Sequence, residues 1–294
     1  MAGRTPIPPE RLSQLVHHRE RAYLGLVVVA SIILYCWMAA SVLGVMLAGS
    51  RLQEIARQAE SATPGVPATP AISPMIWLFY IAIFVLFYIV AHGHFVGHLR
   101  GNGVRVTARQ FPVIHALVER HAATLGLDPA PPVYVLQAGG VLNAFATRFF
   151  SREFVVLYSD VVALAQERGQ DALGFVVGHE LAHIRRGHLK HRWLKLPGHF
   201  VPYLGKAYSR ACEYTCDRFS AESGPDGAID GLLVLAAGTS LYRNVDAGVY
   251  AAQVDTDAGF WVWRAEIAST HPRLPKRVAA LMDAGIPLPV AFRP

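Results

Sequence analysis

The most informative stretch of the chain runs from Asp171 to Arg186 and reads DALGFVVGHELAHIRR. Its apolar residues recur at helical spacing and aspartate is a common helix cap, so the stretch predicts a helix that packs into a core. His179 and His183 are four residues apart, which places both imidazoles on one helical face, within reach of a single metal ion. Glu180 follows the first histidine, where its carboxylate can reach a water molecule at the metal's open position.

The composition indicates that this helix belongs to an unusually apolar chain. Of 294 residues, 53% are hydrophobic and only 16% are charged, whereas a soluble protein usually carries about a quarter charged residues. These values exclude a disordered, collagen-like or coiled-coil protein and disfavour a fully soluble one. Three cysteines do not build a disulfide framework. The net charge of +6 is compatible with nucleic acid or anionic lipid as a partner.

The excess apolarity lies in two segments of the first hundred residues. No charged residue occurs from Ala22 to Ser50, or between Glu60 and Arg100. A helix of about 20 residues crosses a hydrocarbon core of roughly 30 Å, so each segment is long enough to span a membrane. A buried core helix is the alternative. The prediction is an N-terminal region 1–100 with a transmembrane hairpin, comprising spans at about 23–48 and 75–97 and a flexible linker at 49–74.

Arginine placement predicts the orientation of this hairpin. Arginines are more frequent before the first segment and after the second than in the loop between them, which has only Arg51 and Arg57. By the positive-inside rule, both termini then lie in the cytoplasm. We therefore expect a multi-pass protein of the cell (inner) membrane, with residues 101–294 forming one cytoplasmic domain.

Residue patterns in 101–294 predict mixed structure dominated by helix. Short β-branched runs predict strands at 133–136 and 154–158, and Leu142–Ala146 is a candidate third strand or sheet edge. Apolar spacing and capping residues predict helices at about 111–125, 160–166, 171–184, 208–220, 229–241, 249–267 and 275–283. The expected fold class is α+β, mainly α, with a small β-sheet after two transmembrane helices.

A catalytic zinc site usually has three protein ligands and a water molecule, so a third ligand is expected downstream. The three-histidine arrangement needs glycine and histidine where this chain has Arg186 and Leu189, and is therefore excluded. The better candidate is Glu213, because Asp217, one turn later, can accept the free ring N–H of a ligand histidine. His188 is half a turn out of phase with the motif and is expected at the surface or around the site.

With these residues identified, the chain resembles the HtpX-like membrane zinc metallopeptidases, whose relatives include the prenyl-protein (CAAX) endoproteases. That family pairs an HExxH helix with a later ExxxD helix, as His179–His183 and Glu213–Asp217 do here. Leu142–Ala146 matches its asparagine-containing edge segment, and Ser269–Pro272, followed by Arg277, resembles its C-terminal His-Pro motif. An N-terminal pair of spans is also typical of it.

The chain departs from this family at three points. Longer members place a second membrane hairpin between the two motif helices, but residues 184–212 are too few for two further spans. Cys216 stands where the family usually has a small residue, and Arg148 where it tends to have glycine. The first departure excludes a four-span topology, and the others touch the surroundings of the site.

The resemblance implies a zincin-like, gluzincin-type metallopeptidase domain that binds one Zn²⁺ per chain. It implies a ligand set of His179, His183 and Glu213, oriented by Asp217, with Glu180 as general base and His271 as a donor to the oxyanion. It also implies that Asn143, Ala144 and Phe145 hold substrate as an added strand, and that the substrates belong to membrane protein quality control. The expected partners are protein or peptide substrates and the lipid bilayer.

Several alternatives remain open at this level. A non-catalytic, membrane-tethered metal-binding or scaffold protein would share the two histidines without needing Glu180. Cys212 and Cys216 are suitably spaced for a metal or redox pair, although packing or an inert thiol is preferred. The basic run 185–195 favours a solvated helix end or anionic headgroups over nucleic acid, since it lacks interleaved aromatic residues that stack on bases.

Overall fold

A computed structural model describes residues 6–62, 74–137, 139, 143–167 and 170–287 of the chain. Two long helices precede a compact domain that holds a small sheet and many shorter helices, which confirms the expected α+β, mainly α, class. The helices are α1 (Pro9–Leu15), α2 (His18–Ala62), α3 (Pro74–Asn102), α4 (Pro112–Leu125), α5 (Ser159–Glu167), α6 (Gln170–Arg185), α7 (Arg192–His199), α8 (Leu204–Ser223), α9 (Ala228–Leu241), α10 (Ala247–Thr256), α11 (Phe260–Ala268) and α12 (Leu274–Asp283). The strands are β1 (Val104–Arg105), β2 (Val133–Leu136), β3 (Ala144–Phe149) and β4 (Arg152–Tyr158).

The helices α2 and α3 contain the two apolar segments, and both are long and apolar enough to cross a membrane. Their large side chains face outward, as Trp37 and Phe87 show with 66% and 69% exposure. A core helix of a soluble protein would cover such side chains. The predicted linker 49–74 needs correction, because α2 continues to Ala62. Residues 51–62 contain good helix formers and no glycine or proline, so the helix has no reason to stop earlier. Residues 63–73 lie outside the described part of the chain.

The sheet has the order β1-β2-β4-β3, with β2 parallel to β4 and the other pairs antiparallel. The central strand β4 is buried from Phe154 to Leu157. β3 lies at one edge, and within the described residues no further strand pairs with its outer side. Part of the candidate edge segment 142–146 therefore forms an edge strand, although Leu142 lies outside the described residues.

The core of the domain surrounds α6. Its apolar side chains Leu173, Val177 and Leu181 are fully buried and form one cluster with residues of α4, the sheet and α8. Because this helix has apolar residues on most of its faces, it becomes the centre of the domain and carries the histidine motif with it.

Several elements differ from the sequence-based expectation, including α1 and β1, which were not predicted. The single helix predicted at 249–267 is two helices, α10 and α11, which are separated where the chain reads Asp257-Ala258-Gly259. Aspartate and glycine are poor interior helix residues, and the apolar spacing on either side concealed this break. The helix α7 was not predicted, and it packs against α2, where the Gly198 N–H donates to Ser31 Oγ at 2.8 Å.

Candidate metal centre

The candidate metal centre lies where α6 crosses α8. A Cβ atom at Gly178 would lie only 2.5 Å from Ser220 Oγ, so glycine allows these two helices to approach closely. The helix α6 contributes His179 and His183, one turn apart on the face that meets α8. Opposite them, α8 contributes Glu213. The chain thus brings together side chains that are far apart in sequence.

These three side chains converge on one point. The two Nε2 atoms of His179 and His183 are 3.3 Å apart. Glu213 reaches both rings, with Oε2 3.4 Å from the first Nε2 and Oε1 3.4 Å from the second. One ligand atom from each residue lies within 4.8 Å of the other two. Two imidazole nitrogens and a carboxylate oxygen are a donor set that suits zinc in a catalytic site.

A buried ion pair contacts the Nδ1 atom of His179 and fixes the orientation of its ring. Asp217 Oδ1 lies 2.9 Å from His179 Nδ1, and Arg277 donates to both Asp217 oxygens, at 2.8 and 2.6 Å. Because the carboxylate accepts the Nδ1 proton, Nε2 keeps its lone pair directed at the other ligands. Arg277 Nη1 also lies 3.3 Å from Glu213 Oε2, so this arginine contacts both Glu213 and Asp217.

The electrostatics of the centre favour a cation. Burial lowers the pKa of His179, but hydrogen bonds to Asp217 and Glu213 outweigh burial and raise the pKa to about 10. For Glu213, an acid, burial has the opposite effect and raises the pKa. Hydrogen bonds with the two histidines and the charge of Arg277 outweigh burial and bring this pKa well below its ordinary value. A site that stabilises a proton on a buried imidazole also stabilises a metal cation in its place. The residues present therefore fit a zinc ion.

Glu180 connects this centre with the edge of the sheet. Its Oε2 accepts a hydrogen bond from the Ala146 N–H at 2.7 Å. The residue is only 9% exposed, and this hydrogen bond places its carboxylate against the outer side of β3, one residue after the candidate ligand His179. A carboxylate in this place can exchange a proton with a water molecule at the metal.

The register of β3 determines which of its backbone groups are free. The Tyr158 N–H donates to the Asn143 carbonyl, and antiparallel pairing then directs every second residue, including Phe145, toward β4. The backbone N–H and C=O groups of Ala144 and Ala146 therefore point away from β4, toward the open edge of the sheet. Of the three predicted substrate-binding residues, Ala144 has an outward backbone, whereas the backbone groups of Asn143 and Phe145 point to β4.

His271 lies beside the ligands, at the start of the segment that leads into α12. Its Nε2 is 3.5 Å from Glu213 Oε1, and its side chain is 62% exposed. Its neighbour Thr270 is within hydrogen-bond distance of its Nδ1, at 3.0 Å. The fold thus places a half-open imidazole at the edge of the centre, on the side that solvent can reach.

The comparison with protein families supplies the identity. The sequence model described as Peptidase family M48 matches residues 108–201 and 197–284, which together make up more than half of the chain. The chain belongs to peptidase family M48. This finding confirms the resemblance on which the expectations rested and makes the protein a metallopeptidase, whose two apolar helices fit membrane anchoring. Neither the search of curated proteins nor the search of solved structures gives a match.

The sequence left open whether His188 lies at the surface or around the site, and in this M48 peptidase it contacts the candidate metal centre. Continuation of the motif helix would have turned His188 away from the site. The helix α6 instead ends at Arg185, and Gly187, with φ of +67°, reverses the chain. His188 Nδ1 then lies 3.0 Å from His183 Nδ1, and burial lowers the pKa of His188 to about 4.

Arg277 and Ala146 were overlooked as parts of the peptidase site. Arg277 had been noted as part of a C-terminal motif, without a role. The signal that would have found it is charge balance, since Glu213 and Asp217 share a buried face and need a cation. Nothing in the local sequence identifies Ala146, because its role depends only on strand register.

The two cysteines of α8 do not form a reactive pair in the peptidase. Both are buried, and burial raises the pKa of Cys212 and Cys216. Their thiols are therefore protonated at neutral pH, which makes them weak ligands and nucleophiles. Two further groupings have ligand atoms within 4.8 Å of one another, namely His183 with His188 and Cys216, and Glu20 with His188 and Cys212. Each depends on one of these protonated thiols.

Two members of the basic run 185–195 have contacts within the protein. Arg186 Nη2 lies 2.5 Å from Glu20 Oε1. Lys195 is buried, and its Nζ donates to the His188 carbonyl at 3.0 Å. These two cations therefore hold the turn after α6 in place, and they are not available as headgroup contacts.

Proposed function

We propose that this M48 peptidase is a membrane-anchored zinc endopeptidase that binds one Zn²⁺ through His179, His183 and Glu213. The observation that carries the proposal is the convergence of these three donors next to Glu180, which itself contacts the edge strand β3. When bound, zinc polarises a peptide carbonyl and lowers the pKa of its water to about 7.

The chain's own residues supply the remaining steps. Glu180 accepts a proton from the attacking water and returns it to the leaving amine. His271, at the exposed edge of the centre, donates a hydrogen bond to the oxyanion that develops on the carbonyl. Asp217 and Arg277 keep His179 in the ligating tautomer throughout.

The free edge of β3 positions the substrate in this proposal. An extended peptide adds to the edge through main-chain hydrogen bonds to the carbonyl groups of Ala144 and Ala146, because their N–H groups already donate to Asn143 Oδ1 and Glu180 Oε2. Recognition then depends little on side chains. Such tolerance suits an enzyme that removes damaged or unassembled membrane proteins, the role that the family resemblance implies. The excess of arginine outside the loop between α2 and α3 supports a cytoplasmic position for this site.

The test of the mechanism uses Glu180→Gln in the full chain, purified in detergent. We expect near-stoichiometric zinc by elemental analysis and a loss of cleavage of an unfolded protein such as casein by about 10²-fold or more, because the base is lost while its shape is kept. Glu222→Gln is the matched control, since this half-buried carboxylate pairs with Arg11, outside the candidate site. Unchanged cleavage by Glu180→Gln contradicts the mechanism.

The ligand set has its own test, which also addresses the scaffold alternative. We expect Glu213→Ala to lose zinc, while Cys212→Ala and Cys216→Ala retain it. The reverse pattern would show that the ligand set is wrong. Stoichiometric zinc without cleavage of any tested substrate by the wild-type protein would favour a metal-binding scaffold.

A further inference from the structure

A buried carboxylate at the start of α2 has no part in the mechanism above. Glu20 belongs to the first turn of the apolar helix, yet it is only 1% exposed. Removing a carboxylate from water costs several kcal/mol unless charges and hydrogen bonds compensate. Its partners therefore indicate what the residue contributes.

The partners of Glu20 come from α8 and from the turn that follows α6. Its Oε2 accepts a hydrogen bond from Thr215 Oγ1, on α8 between Glu213 and Asp217. Its Oε1 lies 2.5 Å from Arg186 Nη2 and 3.3 Å from His188 Nε2, both in the turn that follows α6.

The contact with His188 continues to a metal ligand. His188 Nδ1 is 3.0 Å from His183 Nδ1. For His183 to bind a metal through Nε2, its proton must be on Nδ1, and His188 must accept that proton with an unprotonated Nδ1. A neutral His188 then carries its own proton on Nε2, which faces Glu20. One carboxylate thus determines the tautomers of two rings in sequence.

We propose that Glu20 is a positioning residue for the metal centre and acts on His183 through His188. The inference rests on the ligand set of the proposed function. It assigns His183 an arrangement parallel to that of His179, whose Nδ1 faces Asp217 directly. The difference is that the carboxylate behind His183 belongs to the apolar helix α2, so that this helix forms part of the metal centre.

Two other roles for Glu20 predict different results. A purely structural role would join α2 to α8 through Thr215 and Arg186 without influence on His183. A second metal site would use Glu20 and His188 with Cys212, but the guanidinium of Arg186 already compensates the carboxylate, and the thiol is protonated. Zinc stoichiometry tests for a second metal site. Coupling between the effects of the Glu20 and His188 variants tests for a purely structural role.

The experiment measures zinc release to a chelator from the full chain in detergent. We expect Glu20→Ala and His188→Ala each to accelerate release about tenfold, the lower end for removal of a group that orients a ligand. In the double variant, zinc release should be less than about twofold faster than in His188→Ala alone, because both residues act along one path. Glu20→Gln, which keeps an acceptor for His188, should restore most of the wild-type rate.

Controls separate this effect from general damage. Glu222→Gln removes a carboxylate that also joins the N-terminal segment to α8, through Arg11, but far from the rings; its zinc release should be unchanged. If Glu20→Ala unfolds the protein, Glu20→Met, which fills the same space without an acceptor for His188, replaces it in the comparison with His188→Ala. Cobalt-substituted protein provides a second readout, since Glu20→Ala and His188→Ala should shift its visible absorption in the same way.

The outcomes distinguish this inference from the proposed function. Failure of the wild-type protein to bind zinc refutes the proposed function itself. One zinc per chain in the wild type, with additive effects of Glu20→Ala and His188→Ala or none from Glu20→Ala, refutes the relay alone. A second zinc that is lost with Cys212→Ala would show that Glu20 belongs to a separate metal site.

Discussion

The two apolar helices of this M48 peptidase join the domain in different ways. α2 makes buried polar contacts: Glu20 reaches the turn after α6, and Ser31 accepts a hydrogen bond from the Gly198 N–H in α7. α3 makes mainly apolar contacts, through Val96 and Leu99, which cluster with side chains of β2 and β4. Two polar contacts add to these: Arg100 Nε donates to the Tyr134 hydroxyl of β2 at 3.3 Å, and the His92 ring contacts the Arg148 carbonyl of β3.

Because of this difference, we expect α2 and α3 to contribute to different functions. α2 adjoins the side of the domain with the proposed metal ligands, whereas α3 adjoins the sheet whose edge strand is proposed to bind the substrate. We therefore expect changes in the contacts of α2 to affect folding and metal binding, and changes in the contacts of α3 to affect peptide binding. The three predictions below test this comparison.

The largest effect is expected where α7 meets α2. A Cβ at Gly198 would lie 2.2 Å from the Val27 carbonyl oxygen and 2.7 Å from Ser31 Oγ. Because backbone must move to relieve this contact, Gly198→Ala should destabilise the protein by at least about 1–3 kcal/mol. Thermal unfolding of the full chain in detergent measures the effect. An unchanged midpoint would show that α2 and α7 are not packed together.

An intermediate effect is expected at the contact between α3 and β3. His92→Phe removes the hydrogen bond from Nε2 to the Arg148 carbonyl, which is 3.1 Å long, but retains an aromatic ring against Phe149. The loss should destabilise the protein by about 1 kcal/mol. Because β3 is then held less firmly, KM for a peptide substrate should rise. Zinc affinity should not change. A weaker affinity for zinc with unaltered KM would reverse the assignment of the two helices.

The smallest effect is expected on the exposed part of α3. A Cβ at Gly97 meets nothing within 4 Å, so Gly97→Ala should alter stability by less than about 1 kcal/mol, in the favourable direction of helix propensity. The thermal scan used for Gly198→Ala measures both variants under the same conditions. Destabilisation as large as that of Gly198→Ala would indicate a close neighbour on this face, such as a second copy of the chain.

Much of the metal centre could be predicted because helical spacing is a local property. The pairs His179–His183 and Glu213–Asp217 each lie one turn apart, so the sequence alone indicates which side chains share a face. Contacts between distant segments have no such rule. Arg277 is 60 positions from Asp217, and only packing of α12 on α8 brings them together.

The fold shows the same division between local and distant determinants. The class and most elements follow from apolar periodicity. The ends of elements depend on single residues: the predicted helix at 249–267 breaks before Gly259, and α6 stops at Arg185, which returns His188 to the site. The outward direction of Ala146 depends on pairing with β4, which local periodicity does not specify.

The contact between α7 and α2 has a consequence for the depth of the protein in a bilayer. The Tyr35 hydroxyl donates to the Trp193 carbonyl, and only residues 36–50 of α2 separate this contact from Arg51. They provide roughly 22 Å of helix at 1.5 Å per residue, less than the roughly 30 Å of a hydrocarbon core. For α2 to cross a bilayer, acyl chains must extend back alongside α7, where Trp193 and Leu196 are 49% and 40% exposed. The face of the domain that carries α7 then lies deeper than the lipid headgroups. The thickness of the membrane determines how much of α7 the acyl chains cover.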